Sequence, residues 1–154
     1  MLSIYNSLHI LAAVIWVGGM IFAYNFLRPA AAESLEPPHR LTLWLGVFER
    51  FFSYVWVSVI ILPLTGYLMI FNRWESIGNA PLYVHIMNGL GVTMILIYLY
   101  VFFSPYKRLK NAVNNKNWPE GGKALMQIRL LVGINTIIGV VVIMSASAGR
   151  FYIY

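Results

Sequence analysis

The chain has 154 residues, 60% of them hydrophobic and 10% charged, with a net charge of +6 and a mean hydropathy of +0.71. A soluble domain carries about a quarter charged residues, so this composition excludes an ordinary soluble fold and points to an integral membrane protein. The absence of cysteine excludes disulfides, thiolate metal sites and thiol redox chemistry together.

Crossing a hydrocarbon core takes about 20 mostly apolar residues in helical form. The first such window, Ile4–Leu27, contains no Asp, Glu, Lys or Arg. A secretory signal peptide would need a basic n-region before it, and the residues preceding Ile4 carry no basic side chain, so the window is read as a structural helix. Arg28–Arg40 follows, punctuated by Pro29 and Pro37-Pro38, and is expected to be an irregular loop. The second window, Phe51–Phe71, is uncharged; its apolar pattern begins near Leu41 and is interrupted by Glu49-Arg50. Pro63 should kink this helix and free carbonyls that a neighbour or Thr65 must satisfy. Asn72–Pro81 is turn-rich, Leu82–Phe103 is the third span, Lys107–Lys123 is a polar connection, and Leu130–Gly149 is the fourth apolar window.

Because lipid-exposed backbone must satisfy its own hydrogen bonds, the four windows predict helices. The fold class is therefore an all-α, integral membrane four-helix bundle, up-down-up-down, in one membrane domain spanning 1–154. Its helices are expected at about 4–27, 45–71, 82–103 and 126–149. Nine of the eleven basic residues flank the first and third connections: Arg28, Arg40 and Arg50, then Lys107, Arg108, Lys110, Lys116, Lys123 and Arg129. The positive-inside rule puts those connections in the cytoplasm and both termini outside, as in a multi-pass protein of a bacterial inner membrane. The charge is thus topological and no nucleic-acid partner is expected; the partner is the lipid bilayer, with anionic lipid at the basic third loop.

His9 and His85 are the residues with the most chemical potential. Both lie inside uncharged stretches, and because the first and third spans run in the same direction, both sit roughly 5–8 Å below the outer boundary. Ionisable residues inside spans mark functional sites. If these two helices occupy a diagonal on the order of 13 Å across, the imidazoles can grip one haem iron axially. Ala12, Ala13, Gly66, Gly89, Ser145, Ala146 and Ser147 would leave room for the ring. This predicts a bis-histidine haem b near the outer face, an electron-transfer role and a quinone or redox protein as partner. Arg73 and Arg150 would then meet the propionates. Copper is the alternative: Met69, Met87 and Met144 lie at the same level, and imidazole with thioether suits copper, especially Cu(I). Glu49, Arg50 and Arg129, with Asn135 in the inner half of the fourth span, form a second polar group that could position an anion. His39 follows Pro37-Pro38 and reads as a surface histidine.

The stretch Leu8-His9, six residues, then Trp16-Val17-Gly18-Gly19 resembles the CopD-like and HemJ-like superfamily of small four-helix membrane proteins. The likeness extends over nearly the whole chain. Glu49-Arg50 is similar to the element that opens the second helix of HemJ-type proteins, His85-Ile86-Met87 to their His-Ile-Lys stretch, and Arg129 with Asn135 to their polar fourth-helix motif. On that side the resemblance implies haem binding and protoporphyrinogen oxidation, although Met87 stands where those proteins carry lysine. Thr65-Gly66 and Trp-Val-Gly-Gly look more like the CopD side, whose members are associated with copper uptake.

Overall fold

The structure is a computed structural model that describes residues 1–149. Among the described residues six α-helices form in chain order: α1 Leu2–Phe22, α2 Arg28–Ser34, α3 Pro37–Trp74, α4 Leu82–Phe103, α5 Pro105–Asn114 and α6 Trp118–Gly149. A π-helical turn, Ala23–Leu27, joins α1 to α2, and a 3-10 turn, Ile77–Asn79, precedes α4. Four continuous helical segments are long and apolar enough to cross a membrane: Leu2–Ser34, Pro37–Trp74, Leu82–Asn114 and Trp118–Gly149. The all-helical four-span reading therefore stands.

The connections are more ordered than their prolines suggested. Arg28–Arg40 is not an irregular loop: α2 runs to Ser34 and α3 already begins at Pro37. Pro29 and Pro37 occupy first-turn positions, where the missing N–H has no intrahelical partner to lose and the fixed φ favours helix. The second helix thus starts eight residues before the expected position near 45, and the fourth begins at Trp118, with Pro119 in its first turn, rather than near 126. The third connection contains α5, whose Tyr106, Leu109 and Ala112 are buried while Lys107, Arg108 and Lys110 are exposed. That division of faces docks α5 on the bundle with its cations outward.

Packing pairs α1 with α3 and α4 with α6, so the first and third spans belong to different pairs. Glycines set the close approaches. A Cβ at Gly139 would lie 2.9 Å from Val17 and 3.1 Å from Met94, and one at Gly121 would lie 3.1 Å from Leu41. Between α3 and α4 the space is filled by aromatic rings: Phe52 and Trp56 meet Tyr98 and Phe102 with centroids 5.3–6.0 Å apart. The Tyr98 hydroxyl donates to the Phe52 carbonyl at 3.2 Å, which satisfies a polar tip in an apolar core. Outward, Val14, Ile60, Leu96 and Ile137 are 59–67% exposed. A belt of exposed aliphatic side chains is what a lipid-facing surface requires.

Candidate functional site

The best-built polar contact within the spans joins α1 to α3 at the end of the bundle that holds the N-terminus. His9 Nδ1 lies 2.8 Å from the Thr65 hydroxyl oxygen, and Thr65 is buried. The same hydroxyl reaches the Ile61 carbonyl at 2.6 Å and the Leu62 carbonyl at 3.3 Å. Pro63 lacks the N–H that would pair the Val59 carbonyl, whereas the Thr65 hydroxyl back-bonds within its own turn. The expected satisfaction of the carbonyl freed by Pro63 is therefore not what this hydroxyl provides: it bonds the turn that follows, at Ile61 and Leu62.

The proton count fixes the imidazole. Thr65 has one hydroxyl hydrogen, and its short contact to Ile61 consumes it. The oxygen can then only accept from His9, so Nδ1 carries a proton, and in the neutral ring Nε2 presents a lone pair. A ring held by a second group through one nitrogen, with the other free to coordinate, is the arrangement of metal-binding histidines. Gly66 provides the space: a Cβ there would stand 3.4 Å from His9 Cε1. Met69 lies one turn beyond Thr65 on α3, so its thioether shares the face that carries the His9 contact.

His85 is differently placed. It is exposed on α4, and among the described residues it makes no hydrogen bond, whereas its neighbour Asn88 accepts from the Tyr67 hydroxyl at 3.1 Å. A Cβ at Gly89 would meet nothing within 4 Å, in contrast to Gly66. The small residues therefore do not converge on one slot. The interior cavity between Trp16, Phe52, Tyr98 and Asn135 measures about 20 Å³, the size of one water; small-molecule pockets run to roughly 300–1,000 Å³. The packing thus lends no support to a macrocycle gripped inside the bundle. Among the described residues no three His, Cys, Asp or Glu side chains gather as a metal centre. Met144 is 64% exposed and Met87 half-buried.

The second polar group divides. Glu49 forms an ion pair with Lys110 of α5 at 3.0 Å, and Arg50 turns back to the Gly46 carbonyl at 2.9 Å. Arg129 joins neither; the charged groups acting on it are Arg28 and Arg40. Adjacent positions on a helix point about 100° apart, so Glu49 and Arg50 could not both face α6. Asn135 is buried, donating to the Met94 carbonyl at 3.4 Å. Arg73 stacks over the Trp74 ring at 5.5 Å, His39 is exposed, and Arg150 lies outside the described residues. Sequence reasoning placed Arg28 and Arg40 together at the first connection, but not Arg129 with them, because it comes from a distant segment.

A family-level comparison matches residues 45–148 to the family described as CopD, copper resistance protein D. The match takes in most of the second span together with the third and fourth, and leaves His9 before its start. Comparison with curated proteins and with solved structures finds no match. Since the match covers more than half of the chain, the protein belongs to the copper resistance protein D family.

Proposed function

We propose that this protein handles copper within the membrane, with Cu(I) as its cargo, and that His9 and Met69 hold the ion at the N-terminal end of the bundle. The observation that carries the reading is the His9–Thr65 contact, which engages Nδ1 and, in the neutral ring, leaves the Nε2 lone pair on the side away from its support. Membership of the copper resistance protein D family supplies the metal, and imidazole with thioether is a donor set suited to Cu(I). Two donors without a surrounding cage favour an ion in passage over a resident structural ion.

The test is direct. Purified protein, loaded with Cu(I) in detergent and competed with a Cu(I) chelator, should retain about one copper per chain. X-ray absorption should report mixed nitrogen and sulfur donors. The same preparation, expressed with haem supplementation, distinguishes the bis-histidine haem b reading: sharp reduced-state bands of a low-spin haem, without copper retention, would replace the copper assignment. Met144→Leu should leave copper retention unchanged, since that side chain is exposed.

The same reading sets a side of the membrane. With the basic residues clustered at the connections between α1 and α3 and between α4 and α6, the positive-inside rule places the His9 end outside. A reporter fused after Tyr154 should give a periplasmic readout in a bacterial host. A cytoplasmic readout would reverse the direction of copper handling.

A further inference from the structure

The opposite end of the bundle carries a feature that copper does not use. Arg129 Nε and Nη2 are buried and have no hydrogen-bond partner among the described residues. The charged groups that act on this guanidinium, Arg28 and Arg40, are both cations, and the Tyr24 hydroxyl is the remaining titratable neighbour. Arg129 is half-buried, so these two nitrogens are withdrawn from water without an acceptor, which is unfavourable, and the neighbouring cations add to that cost. The chain nevertheless builds the arrangement with care. The Arg28 guanidinium lies 5.0 Å over the Tyr24 ring. That ring rests on Gly133, one turn from Arg129, where a Cβ would sit 3.0 Å from it. The π-helical turn Ala23–Leu27 sets the position of Tyr24 relative to Arg28, and such turns recur at functional sites. Beside them opens a cleft of about 480 Å³ lined by Tyr24, Asn25, Arg28, Pro29, Ala32 and Glu33.

We propose that Arg28, Arg40 and Arg129, with Tyr24, form a binding site for a phosphate group at the end of the bundle remote from His9. Guanidinium forks match phosphate oxygens in pairs, and a phosphate supplies the acceptors that Arg129 Nε and Nη2 lack. The site lies where the first, second and fourth spans end, which is headgroup level for an anionic phospholipid of the basic side. Glu33 lines the cleft as its carboxylate and keeps the approach from being purely cationic.

The experiment uses the full chain in nanodiscs. Phosphatidylglycerol, added to phosphatidylcholine, should raise the melting temperature and remain bound through native mass spectrometry. Arg28→Gln, Arg40→Gln and Arg129→Gln should each weaken its retention about tenfold to a hundredfold, while Lys116→Gln, in an exposed turn, should not. Arg129→Gln should also cross over: less stable than the parent with phosphatidylglycerol, as stable or more stable in phosphatidylcholine alone, where the unpaired cation is removed. A merely structural arginine gives no such reversal. A parallel arm adds inorganic phosphate against chloride at equal ionic strength in phosphatidylcholine discs. Stabilisation that Arg129→Gln abolishes supports the site in either arm, and the responding arm names the source of the phosphate. If Arg129→Gln does not fold, Arg129→Lys keeps the charge, loses the fork and should lose most of the retention. Equal responses of parent and arginine variants to both probes, or equal loss in Lys116→Gln, would overturn the proposal.

Discussion

His9→Ala is expected to abolish stoichiometric Cu(I) retention while leaving the protein folded. The side chain is only half-buried and its packing partners are small, so truncation removes the imidazole without opening a deep cavity. The more informative variant is Thr65→Val. It keeps the shape of the side chain but removes the acceptor for Nδ1, so the ring is free to rotate and to place its proton on either nitrogen. Changes of this kind in groups that support a metal ligand weaken metal affinity by about 10–100-fold, and Thr65→Val should fall in that range. Met69→Leu should weaken retention without abolishing it, because one donor of the pair survives. The readout is the chelator competition, paired with a melting curve for each variant. Unaltered copper retention in folded His9→Ala would sink the assignment. Low-spin haem bands in the parent that vanish in both His9→Ala and His85→Ala would replace it with the bis-histidine reading.

What the sequence revealed depended on how local the physics was. Span number and helical class follow from unbroken apolar stretches, which no other structure can carry through lipid. The significance of Thr65 was half visible: its back-bonding to Ile61 and Leu62 is local, whereas its contact with His9 spans 56 positions. Helix starts were misplaced where proline was read as a breaker, although at Pro37 and Pro119 it stands in a first turn. Position along a span can be counted from sequence for His9 and His85, but rotation about the helix axis cannot. The hydrophobic pattern is nearly uniform around α1 and α4, so nothing in the sequence announces which side faces a neighbour. That is why His85 could be placed at the level of His9 and yet stand exposed on α4. Similarly, Arg129 was grouped with Glu49 by depth, while Glu49 takes its partner from α5.

Gly18 and Gly19 turn that missing rotational information into a paired measurement. The two residues are adjacent in the Trp-Val-Gly-Gly stretch, have the same helical environment in α1 and cannot be ranked from sequence. In the structure a Cβ at Gly18 would meet nothing within 4 Å, whereas one at Gly19 would run into the Phe51 ring of α3. Gly18→Ala should therefore be neutral or stabilising by up to about 1 kcal/mol, the gain expected when alanine replaces glycine inside a helix. Gly19→Ala receives the same propensity gain but must displace an aromatic ring at the α1–α3 contact. Overpacking of this kind costs about 1–3 kcal/mol. Phe51 borders an interior cavity of about 20 Å³, too small to accept a displaced ring, so the half-buried ring must swing outward or the helices must separate. Separation would also pull His9 from Thr65, since both contacts belong to the same helix pair. Gly19→Ala should accordingly lose thermal stability and Cu(I) affinity together, while Gly18→Ala loses neither. Equal melting temperatures for the two variants would mean that α1 presents a different face to α3 and that the site at its outer turn is wrongly built.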